Sequence, residues 1–257
     1  MDFLNNLFTR FSLTARPKPI RPEPPALLET RPLPAPISTP SVPPKNIEDT
    51  FTDIYKSNGF RGADSISGPG SDTHQTRLII GALPALWKDF RIATVLDIPC
   101  GDFYWMRHVD LSGVHYTGAD IVAELIAADN SSYARAGIRF ESLNLILSPL
   151  PQVDLILTRD CLVHFSYAEI RLALANICQS DSLYFLTTTF TDREENHDIR
   201  TGDWRPINLE KPPFNLPPPL QIINEDCTEN DGAYPDKSLA LWKVADLRAS
   251  AFVSEPR

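Results

Sequence analysis

The sequence predicts an α/β fold organised around a doubly wound, mostly parallel β-sheet. Short apolar segments that end on a polar or acidic residue recur between residues 93 and 190, and helical patterns separate them. Val95, Leu96 and Ile98 give the first segment the unbroken, β-branched character of a strand that is covered on both faces. Residues 51–257 are long enough for one such domain with a substantial core.

Seven strands are expected from these patterns. The last two are joined by the acidic, glycine-containing stretch 226–237, which is typical of a hairpin and makes the last strand antiparallel. The full prediction is therefore a Rossmann-like sheet of seven strands with helices on both faces. The predicted strands are 93–98, 115–120, 138–145, 153–160, 182–190, 220–225 and 238–244, and the predicted helices include 73–86 and 122–129.

The first fifty residues differ from the rest of the chain. Eleven prolines fall between Pro17 and Pro44, which predicts a disordered, extended arm rather than a folded unit. Apolar residues at helical spacing in residues 1–13 predict a short amphipathic helix that contacts a membrane surface or a partner protein. The predicted organisation is an N-terminal arm over residues 1–50 and one folded domain over residues 51–250.

Charge and cysteine usage exclude several classes of protein. The formal net charge is -9, and the acidic excess falls after residue 50, so the domain offers no basic field for nucleic acid. The four cysteines have no CxxC spacing and no histidines at metal-ligand spacing, so neither a zinc site nor a disulfide framework is predicted. These features predict a soluble, cytoplasmic enzyme; the sequence does not determine its oligomeric state.

The turn after the first strand is the first candidate for a binding site. Asp97 ends the strand, and Pro99 and Gly101 form a tight bend at the edge where doubly wound sheets bind ligands. A dinucleotide fingerprint needs more glycines than this turn has, and Asp97 and Asp102 place negative charge where a pyrophosphate prefers positive potential. The turn favours a cationic or phosphate-free ligand, and S-adenosylmethionine meets both conditions.

Asp120 is the candidate for binding a ribose. It ends the next predicted strand, one βα unit downstream, and a carboxylate there can accept hydrogen bonds from both ribose hydroxyls. The alternative is that Asp120 only caps the helix that follows.

Residues 95–102 resemble motif I of the class I S-adenosylmethionine-dependent methyltransferases, Asp-x-Gly-x-Gly-x-Gly, with Pro99 at the first glycine and Asp102 assigned to the third. Further blocks at 67–71, 159–164 and 201–206 extend the resemblance over residues 51–244, to a bacterial-type group with poorly defined substrates. The resemblance implies the methyltransferase fold and activity, with S-adenosylmethionine as cofactor. It implies these cofactor-binding residues: Asp97, Pro99, Gly101, Asp120, Ile121, Asn144 and Arg159.

Asn144 and Asp154 take their roles from the same resemblance. Members of the family commonly carry an acid or amide that contacts adenine at the position of Asn144, whose amide can both donate and accept. The alternative for Asn144 is a turn residue before the break at 148–151. Asp154 matches the family's structural acid at the entry to the fourth strand.

Two residues at and beyond the end of the fourth predicted strand are candidates for catalysis. His164 is predicted near the place of methyl transfer, where its pKa suits a general base for a hydroxyl, and Asp160 is the second candidate. A packing or capping role is the alternative for His164. Ser166 and Glu169 have the spacing of a capping box at the start of the next helix.

A long polar segment, residues 191–219, follows the fifth strand and supplies the candidate substrate residues. Asp203, Trp204 and Arg205 combine a carboxylate, a stacking surface and a planar cation, which suit a sugar ring or a small polar molecule. The alternative is a surface loop with Trp204 packed on the sheet.

The sequence therefore predicts methyl transfer to an oxygen or nitrogen of a small polar molecule or glycan. Two other functions stay open: a nicotinamide-dependent oxidoreductase, and a non-catalytic partner-binding module on a methyltransferase-like fold. Pro99 and Asp102 argue against the first of these, because it needs a glycine-rich pyrophosphate turn.

Overall fold

Seven strands form one sheet in the computed structural model, which describes residues 46–254. The strand order is β3-β2-β1-β4-β5-β7-β6. Strands β1 to β5 are mutually parallel, whereas β7 runs antiparallel to both of its neighbours. This arrangement confirms the predicted fold class. The strands are β1 Thr94–Asp97, β2 His115–Asp120, β3 Ile138–Ser142, β4 Leu155–Thr158, β5 Tyr184–Phe190, β6 Gln221–Asn224 and β7 Lys237–Lys243.

Helices cover both faces of this sheet. Four are longer than two turns: α1 Ile47–Ser57, α2 Thr73–Asp89, α3 Ala123–Tyr133 and α4 Tyr167–Gln179. The short segments α5 Glu229–Gly232, α6 Val244–Leu247 and α7 Ala251–Ser254 follow, and single 3₁₀ turns lie at Pro69–Ser71, Met106–His108 and Leu162–His164. None of the helices within residues 46–254 has both the length and the apolar character needed to cross a membrane.

The order of the strands reverses at β1. The chain runs from β1 outward to β3, then returns to place β4 on the other side of β1. Asp97 at the end of β1 pairs with Gly118 of β2 and Leu157 of β4. In doubly wound sheets a crevice opens beyond the carboxyl ends of the strands at such a switch point. The fold therefore directs the end of β1 toward a binding crevice.

The central strands are buried on both faces. In β1, Leu96 packs into the core on one side of the sheet and Val95 into the core on the other, and neither is exposed. Ile156 and Leu157 of β4 alternate in the same way. This burial explains the unbroken apolar segments, since a strand with two covered faces has no polar side.

The predicted capping box begins α4. Ser166 Oγ accepts a hydrogen bond from Glu169 N at 3.3 Å, and the Glu169 carboxylate accepts from Ser166 N at 3.2 Å. Two backbone donors at the start of the helix are thus satisfied reciprocally. The cap fixes the point where the chain leaves the 3₁₀ turn at Leu162–His164 and enters α4.

The polar segment 191–219 is anchored to the core rather than loose. Ile207, Leu209 and Phe214 are fully buried beside α4 and the central strands. The Asn208 amide donates to the carbonyl oxygens of Thr191 and Arg193 at 3.1 and 3.0 Å. These contacts give the segment a fixed path across the carboxyl edge of the sheet.

Part of the predicted arm belongs to a helix. Residues 47–50 form the first turn of α1, and the Asn46 side chain caps it by accepting from Asp49 N at 2.7 Å. The predicted amphipathic helix in residues 1–13 and the proline-rich stretch lie outside the described residues. Their roles stay predictions.

Asp154 has the structural role that the resemblance implied. One of its carboxylate oxygens accepts hydrogen bonds from the backbone N–H groups of Ala93 and Thr94, each at 2.9 Å. These two donors lie where the chain enters β1. Asp154 therefore fixes the start of β1 against β4.

We expect Asp154→Ala to lower the free energy of unfolding by about 1–3 kcal/mol, because two backbone donors lose their acceptor. Asp154→Asn keeps an acceptor oxygen and should lose less. Urea denaturation of both variants measures the difference. Equal losses in the two variants would show that these hydrogen bonds do not carry the role of Asp154.

Candidate active site

One cavity lies at the carboxyl edge of β1, β2 and β4 and holds about 1110 Å³ of space, part of it open to solvent. Helix α1 and the loop after it close one side. The cavity is lined by every predicted cofactor-binding residue and by both catalytic candidates, namely Asp97, Pro99, Gly101, Asp120, Ile121, Asn144, Arg159, Asp160 and His164. The fold thus brings together residues from four separate segments of the chain.

Asp97 is a buried carboxyl group with one strong partner. It is 2% exposed, and one of its oxygens accepts a hydrogen bond from the Tyr116 hydroxyl at 2.6 Å. Desolvation raises the pKa of Asp97 to about 7, although the Tyr116 hydrogen bond and the Arg159 charge oppose the shift. A buried carboxyl with a raised pKa in a cleft is typical of a functional site.

The turn after β1 requires glycine at position 101. Gly101 has a φ of +57°, and a Cβ there would lie 2.1 Å from Ser67 Oγ. The turn and the loop at residues 65–71 therefore approach more closely than any side chain would permit. Because of this contact, the turn after β1 and the loop at residues 65–71 form one side of the same site.

Asp102 joins the same two segments. Its carboxylate accepts from Ser65 Oγ at 2.8 Å and from Ile66 N at 3.0 Å. Sequence reasoning treated Asp102 only as a negative charge near the ligand and missed this role. The available signal in the sequence was the serine-rich loop at residues 65–71, since serine hydroxyls can donate to a carboxylate once the fold brings the two together.

The third glycine of motif I corresponds to Phe103, which corrects the assignment of that position to Asp102. Counting from Asp97 in steps of two leads to Phe103, and this residue keeps a glycine-like φ of 55°. The fully buried Phe103 ring contacts the rings of Tyr116 and Phe140, with centroids 5.2 Å away in each case. Aromatic packing thus offsets a backbone conformation that is unfavourable for a bulky residue.

Asp120 connects the turn after β1 with the start of α3. Its oxygens accept from Val122 N at 3.0 Å and from Gly101 N at 3.3 Å. The N-cap residue of α3 is Val122, so Asp120 does not occupy the cap position of the alternative interpretation. Desolvation raises the pKa of Asp120 to about 6, against the effect of the backbone hydrogen bonds.

Asn144 serves as a turn residue and also faces the cavity. Its side-chain oxygen accepts from Ile146 N at 2.8 Å and Leu147 N at 3.2 Å. Its amide nitrogen has no hydrogen-bond partner among residues 46–254. The turn interpretation therefore accounts for the oxygen, while the amide donor stays available to a ligand.

Arg159 is held in a buried ionic cluster at the cavity wall. Two of its nitrogens bind the Glu225 carboxylate at 3.1 and 2.6 Å, and one of these also donates to the Gly70 carbonyl at 2.8 Å. Lys237 Nζ lies 2.7 Å from the Asp160 carboxylate. Glu225 and Lys237 were not identified from the sequence, because they come from the distant β6–β7 hairpin.

Asp160 does not fit the prediction of a general base. The charges of Arg159 and Lys237 hold the pKa of this carboxyl well below its usual range, although burial acts in the opposite direction. Its second oxygen accepts from Thr188 Oγ1 at 3.3 Å. Such a carboxylate stays ionised and has little tendency to take up a proton, so its environment suits an anchoring role.

His164 has the surroundings of a proton acceptor. Its Nδ1 lies 2.9 Å from the carbonyl oxygen of Asp203, and because a carbonyl oxygen only accepts, Nδ1 carries the hydrogen. Burial lowers the pKa of His164, so the ring is neutral at pH 7. Within the described part of the chain, Nε2 has no hydrogen-bond partner. The ring packs against that of Phe60 in a tilted arrangement, with centroids 4.7 Å apart.

The three predicted substrate residues do not line the cavity. Arg205 is 1% exposed and donates to the carbonyl oxygens of Leu162 and Phe165 at 2.8 and 2.7 Å, so its guanidinium is not free to bind a substrate. Asp203 contributes its backbone carbonyl to the His164 contact, while its side chain is exposed. A substrate role for the Asp203 side chain stays a prediction.

Trp204 is the third of these residues. It is 41% exposed, and its indole packs edge-on against Tyr234 with centroids 5.0 Å apart. This placement matches the alternative of a surface loop whose Trp204 is packed beside the sheet. A substrate role for Trp204 also stays a prediction.

An aromatic wall on α1 was missed from the sequence. Phe51 and Tyr55 line the cavity, and the Phe51 ring lies 5.9 Å from that of Phe165. Together with Ile47, these residues recur every four positions, which is the spacing of one helical face. That periodicity was the available signal, but it overlapped the end of the predicted arm.

No protein-family model and no curated protein matches the chain. Among solved structures, Burkholderia thailandensis 1,6-didemethyltoxoflavin-N1-methyltransferase, with bound 1,6-didemethyltoxoflavin and S-adenosylhomocysteine, is similar with a TM-score of 0.56. The identity is 17%, over 81% of this chain and 93% of the other.

Human N-acetylserotonin methyltransferase in complex with S-adenosylmethionine gives a TM-score of 0.48 at 16% identity over 77% of this chain. This chain spans 60% of the human protein's length. The fold is thus that of S-adenosylmethionine-dependent methyltransferases, as the resemblance implied.

We expect Asp97→Asn to stabilise the ligand-free protein above pH 7. The folded-state pKa of Asp97 is raised from 3.8 to about 7, so its ionisation in the folded protein costs stability as the pH rises from 4 to 7. At about 1.4 kcal/mol per pKa unit, the gain is up to about 4 kcal/mol at pH 8 and vanishes below pH 4. Urea denaturation across this range measures it.

The control is Asp110→Asn, at an exposed carboxylate whose pKa is lowered by hydrogen bonds from Ser112. Loss of this carboxylate should not stabilise the protein at high pH. A gain for Asp97→Asn that is the same at pH 4 and pH 8 would contradict the ionisation argument.

Proposed function

We propose that this chain is an S-adenosylmethionine-dependent methyltransferase that acts on an oxygen or nitrogen atom of a small molecule. The observation that carries the proposal is the meeting of Asp97, Asp120 and Asn144 in one cavity beside the switch point of the sheet. Asp97 and Asp120 end β1 and β2, and Asn144 lies just after β3. Such a crevice is where doubly wound sheets bind nucleotides. The neighbouring His164 adds a group that can accept a proton.

The residues of the cavity fit this cofactor in charge and hydrogen bonding. The Asp97 carboxylate suits a cationic group, and the Asp120 oxygens suit the two ribose hydroxyls. The free amide donor of Asn144 suits an acceptor nitrogen of adenine.

The same residues fit a pyrophosphate poorly. Pro99 has no N–H to donate, and the carboxylates of Asp97 and Asp120 repel a phosphate. Arg159, the cation beside the turn, is already paired with Glu225. This distribution of charge weighs against a nicotinamide-dependent oxidoreductase.

When bound, S-adenosylmethionine supplies an electrophilic methyl group on a sulfonium. His164 takes the proton from an acceptor hydroxyl at Nε2, while the Nδ1–H donor stays on the Asp203 carbonyl and stabilises the imidazolium that forms. The α1 residues Phe51 and Tyr55 shield the cavity from water. The cavity walls hold the acceptor in place, which supplies much of the rate.

The acceptor is a small molecule with a hydroxyl or amine group. A hydroxyl is favoured, because it needs a general base to remove its proton and His164 can serve as that base. A neutral amine needs no base before transfer. The glycan alternative depended on Trp204 and Arg205, and only Trp204 keeps an exposed surface for a sugar. Phe60, which packs against His164, instead gives the acceptor side of the cavity an apolar surface.

Calorimetric titration with S-adenosylhomocysteine, with NADH as control, tests the proposal. We expect micromolar binding of S-adenosylhomocysteine alone, which corresponds to about -8 kcal/mol. Asp120→Ala should weaken it at least tenfold through loss of the ribose contacts, while Asp110→Ala, at a remote exposed carboxylate, should leave it unchanged. Binding of neither ligand favours a non-catalytic module, and binding of NADH alone overturns the cofactor assignment.

The affinity for S-adenosylhomocysteine should also depend on pH. The free protein holds a proton on Asp97 below about pH 7, and this proton must leave before the carboxylate can bind the ligand's ammonium group. The dissociation constant should therefore rise about tenfold per pH unit between pH 7 and pH 6 and level off above pH 7, while protonation of Asp120 adds to the rise below pH 6. Titrations from pH 5.5 to 8.5 measure this slope, and Asp97→Asn should flatten it. An equal slope in the variant would assign the proton to another group.

A further inference from the structure

We infer that residues 201–205, named here the 201–205 clasp, fix His164 as the Nδ1–H tautomer, with Arg205 as the main positioning residue. The inference rests on the proposed function, because the proton transfer proposed there requires an unprotonated Nε2. It replaces the sequence-based role of Arg205 in substrate binding. The clasp is forty residues away along the chain from the 3₁₀ turn it holds.

The backbone of the clasp binds the 3₁₀ turn at Leu162–His164 from one side. Gly202 N donates to the His164 carbonyl at 2.9 Å, and Arg205 N donates to the Val163 carbonyl at 3.1 Å. Between these two contacts, the Asp203 carbonyl accepts from His164 Nδ1 at 2.9 Å. The imidazole is thus bonded by the same short segment that holds its own backbone.

The Arg205 guanidinium binds both ends of the same turn. Nη1 donates to the Leu162 carbonyl at 2.8 Å and Nη2 to the Phe165 carbonyl at 2.7 Å, while Nε donates to the His197 carbonyl at 3.3 Å. Arg205 is 1% exposed. The planar fork of a guanidinium can reach two carbonyls in a fixed geometry, which a lysine cannot.

Arg205 forms no salt bridge among residues 46–254, although the charge of the Asp198 carboxylate acts to raise its pKa. Burial lowers its pKa to about 10, so the side chain is still a cation at pH 7. A buried cation with no carboxylate in direct contact is unfavourable unless other groups satisfy its donors, and here backbone carbonyls do so. Burial of the guanidinium costs desolvation free energy, and we infer that this cost is tolerated because Arg205 fixes the geometry of the 3₁₀ turn at Leu162–His164.

Gly202 lets the clasp pass beneath α1. It has a φ of +101°, and a Cβ there would lie 2.9 Å from Thr50 Cγ2. Next to it, Thr201 Oγ1 accepts from Ser166 N at 3.0 Å, at the cap of α4. The clasp is therefore fixed from both sides, so the position of the Asp203 carbonyl is determined by the surrounding structure.

The experiment is two-bond ¹H–¹⁵N NMR of the full chain labelled at histidine nitrogens, with His164→Gln to assign the ring. This spectrum separates the two neutral tautomers directly. We expect wild-type His164 to show a protonated Nδ1 and an unprotonated Nε2. Arg205→Met should abolish this preference, and Arg205→Lys should restore part of it.

The matched control is Arg248→Met, because Arg248 also donates to a backbone carbonyl, that of Cys178, but lies away from the cavity. It should leave the His164 signals unchanged. Gly202→Ala provides a second variant should Arg205→Met fail to fold, and it should disturb the same signals by moving the Asp203 carbonyl. A His164 tautomer that survives both variants overturns the inference.

S-adenosylhomocysteine titration of the same samples separates the two proposals. Arg205→Met should bind this ligand as the wild type does, since Arg205 does not line the cavity. If the wild type does not bind this ligand while the His164 tautomer still depends on Arg205, the cofactor proposal is contradicted and the role of the clasp is supported. If binding is normal and the tautomer is independent of Arg205, only the inference that the clasp fixes the His164 tautomer is contradicted.

Discussion

A buried ionic cluster at the carboxyl edge of the sheet supports the rest of the site. Arg159 at the end of β4 and Lys237 at the start of β7 share the carboxylates of Glu225 and Asp160. Because Arg159 also holds the Gly70 carbonyl, the cluster joins the central sheet, the edge hairpin and the loop that touches the turn after β1. Removal of one partner from such a cluster leaves an uncompensated buried charge, which is strongly destabilising. The walls of the cavity therefore depend on each other through these few ion pairs.

The carboxyl groups inside the cavity work against stability in the absence of a ligand. Asp97 and Asp120 are both almost fully buried, and burial raises the pKa of each, to about 7 and about 6. A partner that brings positive charge and hydroxyl donors would relieve this desolvation. Functional sites commonly hold groups in such unfavourable surroundings, and the rest of the fold offsets the cost.

The sequence predicted the features that depend on local patterns. The limits of β2 follow from its apolar segment, and β1 and β4 end one and two residues before the predicted limits of 98 and 160, so the cavity and its carboxylates could be placed in advance. The roles of Arg205 and Asp102 could not, because each is decided by partners that only the tertiary fold brings near. An arginine in a polar loop is usually exposed, so its sequence context favoured substrate binding. The carbonyls that bury it belong to a turn with no distinctive sequence pattern.

Helix α1 covers the cavity, yet none of its residues is fully buried. Its charged contact, Lys56 with Glu124, joins two exposed side chains and adds little to its attachment. The helix is therefore held mainly by the half-buried faces of Ile47 and Phe51. Segments with so few buried contacts open locally at a small fraction of the global unfolding energy. We therefore expect α1 to exchange its amide protons faster than the central strands, so that this wall of the cavity opens more often than the sheet beneath it.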